Sequence, residues 1–326
     1  MKRTLAWLLL LALLLGLLGG CAVTPNAEPS DGKLRIVCTI FPLYDWTRQL
    51  LGSRTAEADL TLLLDNGVDL HSFQPTADDI IQIADCDLFL YVGGESDTWV
   101  EDALKEAVNP NMIVLNLMDL LGDKVKEEEI VEGMEADDHE DHDDEGEHAE
   151  PEYDEHVWLS LRNAALFCEK IAEALDKLMP ADPVQSAAYL EKLNALDERY
   201  QAAVDAAPLH TLLFGDRFPF RYLTDDYGLD YYAAFAGCSA ETEASFETVV
   251  FLAEKADALG LPAILQLESS DGAIPETIRR NTKTRDQQLL TLDSMQSVTA
   301  REIEDGATYL SIMEQNLDVL TAALTK

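Results

Sequence analysis

The chain has 326 residues, with 23 Lys and Arg against 62 Asp and Glu, a formal net charge of -39. Such a surface is repelled by phosphate backbones, which excludes nucleic acid as a partner and makes cations the natural small ligands. With 47% hydrophobic residues the chain can bury a sizeable core, and its length implies about two domains.

Lys2 and Arg3 precede an almost pure Leu/Ala run from Leu5 to Leu18, followed by Gly19, Gly20 and Cys21. This is a secretory signal over residues 1–20. The ending Leu18-Gly19-Gly20-Cys21 resembles the bacterial lipoprotein signal, in which cleavage leaves a lipidated cysteine first. Cys21 is therefore expected to anchor the protein to a membrane, outside the cytoplasm, without spanning it. An ordinary cleaved signal with an incidental cysteine is the alternative. Residues 21–32, with Pro25, Pro29, Ser30 and Gly32, read as a polar tether.

From there short apolar runs alternate with amphipathic ones. Leu34 to Ile40 predicts a strand, Tyr44 to Leu51 a helix ended by Gly52, and Thr61 to Leu64 a strand whose following loop carries Asn66, Gly67 and His71. Thr76 with Asp79 forms a capping box that opens a helix. Leu88 to Val92 and Met112 to Leu115 read as strands on either side of a helix from Trp99 to Ala107. Residues 127–156 then carry seventeen carboxylates, no Lys or Arg, and His139, His142, His148 and His156. A block of that composition is low-complexity and self-repelling, and is expected to be disordered without ligand.

Order resumes at Val157. Ala164, Cys168, Ile171, Leu175 and Leu178 mark one helix face that stops at Pro180. A second long helix carries Tyr189, Leu193, Leu196, Tyr200 and Val204 and ends before Pro208. Thr211 to Phe214, Leu229 to Phe235, Ala263 to Leu267 and Gln288 to Leu292 read as strands, with a last helix over about 305–323. Such alternation predicts an α/β fold of two lobes, each with a mostly parallel sheet flanked by helices, joined by one long helix. The expected division is an N-terminal lobe at 33–181 containing an acidic loop at 127–155, a linking helix at 182–207 and a C-terminal lobe at 208–326.

Loops at the carboxyl ends of parallel strands are where open α/β sheets bind ligands. His71, His156, Asp216 and Asp293 each sit where a loop leaves an element, and nitrogen and oxygen donors from separate loops can enclose a divalent ion. On spacing alone each is also compatible with a structural role. Cys38, Cys86, Cys168 and Cys238 are spaced too widely for a metal knuckle, and read as buried thiols or one disulfide. Glu268, after a strand, reads as a salt-bridged structural acid.

The run Leu63-Leu64-Asp65-Asn66-Gly67-Val68-Asp69-Leu70-His71-Ser72-Phe73-Gln74-Pro75-Thr76 resembles the opening of the zinc- and manganese-binding solute-binding lipoproteins of ABC transporters, whose histidine there is the first metal ligand. Asp154-Glu155-His156-Val157-Trp158-Leu159-Ser160-Leu161-Arg162-Asn163 resembles that family's second motif, and Leu292-Asp293-Ser294-Met295 its late aspartate. The resemblance covers about residues 33–326. It implies His71, His156 and Asp293 as ligands. Counting back from Tyr227-Gly228-Leu229, the family's third ligand falls on Arg217, whose guanidinium has no lone pair to give. Asp216 is the nearest donor; the alternative is three protein ligands plus water.

The resemblance thus implies an extracytoplasmic binding lipoprotein, monomeric and not an enzyme. It would capture zinc, or second to that manganese, between its lobes and deliver it to an ABC permease. His139, His142 and His148 would form an auxiliary collector. A surface metalloenzyme or a metal-binding adhesin is the competing expectation; no H-E-x-x-H or G-x-S-x-G occurs in the chain.

Overall fold

In the computed structural model, residues 32–135, 152–181, 183–239 and 243–325 are described. Cys21, His139, His142 and His148 lie outside them. Among the described residues, eight strands form two sheets. The first contains β1 (Leu34–Cys38), β2 (Ala58–Leu62), β3 (Leu88–Tyr91) and β4 (Ile113–Asn116) in the order β2-β1-β3-β4. The second contains β5 (Thr211–Phe218), β6 (Asp230–Ala236), β7 (Ala263–Gln266) and β8 (Gln288–Thr291) in the order β6-β5-β7-β8. All neighbouring strands are parallel. The Val, Ile and Leu content of the central strands follows from this, because helices cover both faces of a parallel sheet.

Local signals act as expected at several ends. Thr76 and Asp79 bond reciprocally at the N-terminus of the Ala77–Asp85 helix. The Phe41–Leu51 helix begins earlier than the Tyr44 start expected, since Pro42 suits a first helical turn. The expected 305–323 helix is two helices, Ala300–Glu304 and Tyr309–Ala323, separated at Gly306 with φ of 102° and recapped by Thr308.

The long helix Ala187–Ala206 buries Tyr189, Leu193, Leu196, Tyr200 and Val204 on one stripe. The final helix, which follows the second sheet in sequence, returns to the first half. The Tyr309 backbone N–H donates to buried Asp45, and its ring meets Trp46 edge-on at 5.0 Å. The Tyr200 hydroxyl donates to the Met313 carbonyl at 2.6 Å. Two helices therefore tie the halves together, and the largest buried cluster contains residues from both.

The acidic block is ordered at its flanks. Asp154 N–H donates to Lys126 O and Glu128 N–H to Glu152 O, and Glu127 bridges Tyr153. Two of its carboxylates pair with cations of the second half: Glu129 with Arg221, and Glu132 with Lys255 at 2.8 Å. The cations that like-charge counting along the chain omits come from elsewhere in the fold. Among the described residues no helix is long and apolar enough to cross a membrane.

Candidate metal centre

His71 lies in a short 3-10 turn, Leu70–Ser72, on the loop after β2, and Asp69 caps that turn by accepting from the His71 N–H at 3.0 Å. His156 is fully buried at the foot of the Val157–Leu159 turn. Its backbone N–H and its Nδ1 both meet Asp154 Oδ1, at 2.8 and 3.0 Å. The His71 ring stands with Nδ1 2.8 Å from Ser96 Oγ, and Nε2 3.2 Å from His156 Nε2. Each ring thus has its outer nitrogen occupied and its Nε2 turned toward the other, the arrangement in which an outer hydrogen bond sets the tautomer of a metal-binding imidazole.

Two nitrogens 3.2 Å apart need a proton or a cation between them. Burial pulls the His156 pKa down, but the charge and hydrogen bond of Asp154 outweigh it and the value is raised. Burial, with His156 beside it, lowers that of His71 to about 4. Asp69, where burial is outweighed by Arg217, is held below its ordinary range.

A third donor joins the pair. Among the described residues, one group of His, Cys or carboxylate side chains has its ligand atoms within 4.8 Å of one another, and it comprises His71, His156 and Cys238. Sequence reading left Cys238 as an undecided thiol; the isolated spacing of Gly237-Cys238 carries no ligand signal, because the two imidazoles come from distant segments. Two clefts meet here. One of about 530 Å³ is lined by Asp69, His71, Arg217, Cys238 and Asp271, and one of about 240 Å³ by His71, Ser96, Glu128, Glu155 and Cys238.

The expected carboxylates do not enter this group. Asp216 is not in a loop after a strand, because β5 continues to Phe218 through a register shift between Phe214 and Arg217. Its Oδ1 accepts from Arg217 N and its Oδ2 from Leu267 N, so both oxygens are engaged by backbone at the β5–β7 edge, while the residue lines the same cleft as His71 and Cys238. Asp293 follows β8, and its Oδ1 accepts from Met295 N. Burial and the neighbouring Glu268 raise its pKa to about 7. Arg217 is bound to Asp69 at 2.7 Å across the cleft. Glu268, expected to be salt-bridged, instead accepts from the Ser294 N–H and from the Ser294 and Ser297 hydroxyls. All four described cysteines are free thiols.

The model of the family "zinc-uptake complex component A, periplasmic" (ZnuA) matches residues 36–323. The chain is a member of the ZnuA family. A ZnuA relative, the high-affinity zinc uptake system protein ZnuA of Bacillus subtilis, is 28% identical over 319 residues, covering 96% of this chain and 94% of the relative. The zinc-binding lipoprotein AdcA of Streptococcus pneumoniae is 30% identical over 303 residues, covering 90% of this chain and 56% of AdcA. This ZnuA-family chain therefore spans little more than half the length of the streptococcal relatives. The crystal structure of the Zn(II)-bound ZnuA-like domain of that AdcA superposes with a TM-score of 0.68 at 26% identity, covering 90% of this chain and all of that domain. The two-lobed fold with a parallel sheet in each half is thus that of the ZnuA family.

Proposed function

We propose that this protein is an extracytoplasmic solute-binding protein that captures a divalent transition metal, zinc before manganese, between its two halves and delivers it to an ABC permease. The observation that carries this reading is the pair of Nε2 atoms of His71 and His156, 3.2 Å apart and fed by different segments of the chain. Neutral imidazoles with their outer nitrogens held by Ser96 and Asp154 suit zinc, and zinc is the metal named for the relatives. The chemistry is ligand exchange: the ion sheds water, is held, and is released, with nothing turned over. Asp293, at the carboxyl end of β8, is the carboxylate that would complete the coordination after leaving the Met295 N–H. A lipid on Cys21 would hold the protein at the membrane, and His139, His142 and His148 would collect metal weakly beside the cleft.

The test is titration of the full chain, stripped with a chelator, with zinc under competition from a chromophoric chelator. One ion bound tightly per chain is expected, with weaker extra sites lost on deleting residues 127–153, and no hydrolysis of ester or phosphoester substrates. Tight binding that survives in the His71→Ala, His156→Ala double variant would overturn the reading.

A further inference from the structure

Arg217 occupies the position from which a third ligand is expected, and its guanidinium is turned to Asp69. The imidazole pair is also approached by the turn after β6, which lines the same cleft as Arg217. Gly237 makes that approach possible. A Cβ there would fall 2.9 Å from Phe218 O and 3.1 Å from Cε1 of the His156 ring, so a side chain would push the turn away. On its other side the turn is pinned by the Cys238 N–H, which donates to Glu128 Oε1 at 2.9 Å. Cys238 Sγ and one ring nitrogen of each histidine gather within 4.8 Å of one another. Nitrogen and sulfur ligands on one tetrahedral zinc are separated by about 3.3–3.6 Å, from bond lengths of about 2.0–2.3 Å. Closing the group on an ion therefore takes a side-chain movement of about 1 Å, within the range of a rotamer adjustment in a half-buried turn.

A second observation, behind the His71 ring, favours positive charge there. Glu155 Oε2 is buried without a hydrogen-bond partner, on a side chain 3% exposed, and lies 3.8 Å from His71 Nδ1. Glu155 and Cys238 line the same cleft. Unpaired buried carboxylate oxygens are expensive, and the positive charge that the His71 ring would gain by binding an ion through its far nitrogen would offset part of that cost.

We propose that Cys238 is the third protein ligand of the ion held by His71 and His156, its thiolate supplying from the β6 turn the donor that Arg217 does not supply from β5. This rests on the metal-binding reading above and narrows its cargo. On binding, the thiol proton passes to solvent and sulfur bonds to the metal. Two imidazoles and a thiolate favour zinc and other thiophilic ions, and disfavour manganese, which prefers oxygen donors.

The experiment uses the full chain, stripped of metal and loaded with one equivalent of Co²⁺. The wild type is expected to show a thiolate-to-cobalt charge-transfer band in the near ultraviolet. Cys238→Ser is expected to bind Co²⁺ through the imidazoles without that band. Its Zn²⁺ affinity should fall about tenfold or more, against an unchanged Mn²⁺ affinity. A wild-type one-to-one cobalt complex without the band overturns the inference and leaves the His71–His156 reading intact. An unchanged zinc-to-manganese ratio in Cys238→Ser does the same. A wild type that binds neither Co²⁺ nor Zn²⁺ overturns both, and the cobalt spectrum needs no variant to fold.

Discussion

Asp154 Oδ1 accepts from the backbone N–H of His156 at 2.8 Å and lies 3.0 Å from the Nδ1 of the same residue's ring. One buried oxygen thus fixes both where His156 sits and which ring nitrogen it offers to the cleft. In Asp154→Asn the amide oxygen still accepts from the backbone, but the charge that holds the imidazole is lost. Zinc affinity is expected to drop about 10- to 100-fold, as for other partners of metal-bound histidines, with the thermal midpoint of the metal-free protein little changed. Competition titration and calorimetry read the two separately; an affinity equal to wild type would show that Asp154 does not orient the ring.

Acid should weaken capture. The His156 pKa is raised by Asp154 against the pull of burial, and that of His71 lies near 4. As pH falls through the His156 value the proton occupies the lone pair that a metal needs, so apparent zinc affinity declines with acidification. In Asp154→Asn the His156 value falls and the decline should shift to lower pH. A zinc affinity independent of pH below neutrality would contradict the placement of that proton.

Gly237→Ala would bring a methyl group to within 2.9 Å of the Phe218 carbonyl and 3.1 Å of the His156 ring. Overpacking of this kind costs about 1–3 kcal/mol. A lowered thermal midpoint and a weakened zinc affinity are expected together, because the displaced turn carries Cys238. Loss of stability with unchanged affinity would separate the turn from the metal.

Asp97 tests the electrostatics away from the ligands. Its Oδ2 accepts from Val92 N and Gly93 N, while its buried Oδ1 has no hydrogen-bond partner. Burial, and then the Glu155 charge, raise its pKa from 3.8 to about 7. Between those values the folded chain holds a proton that the unfolded chain has released. This group's contribution to stability therefore grows as pH falls from about 7 towards 4, and is unfavourable above 7. Asp97→Asn keeps the acceptor and removes the ionisation. It should stabilise the metal-free protein by about 1–3 kcal/mol at mildly alkaline pH and by progressively less below pH 7. Chemical denaturation of both proteins at several pH values checks the slope; parallel curves would refute it.

Much of the fold was legible because it depends on local signals. Thr76 with Asp79 opens its helix as read, and Gly52 ends another with φ of 53°. The apolar stripe from Tyr189 to Val204 is buried where the periodicity put it. Asp216 was misplaced because the run Thr211 to Phe214 gives no sign that the strand continues through an irregular register to Phe218. The acidic flanks were misread for a related reason: repulsion counted along residues 127–156 ignores Arg221 and Lys255, which only the fold brings alongside.

By itself the sequence determined the alternation of strands and helices, the sign of the surface charge, and two histidines in recognisable surroundings, since each follows from residues within a few positions of one another. The tertiary structure alone decided that the His71 and His156 nitrogens point at each other, that Asp216 accepts from backbone amides, and that Cys238 joins the pair as a donor while Arg217 binds Asp69. Those outcomes turn on ångström-scale placement of segments far apart in the chain. Packing sets that placement, through such details as the missing side chain of Gly237, and no local pattern encodes it.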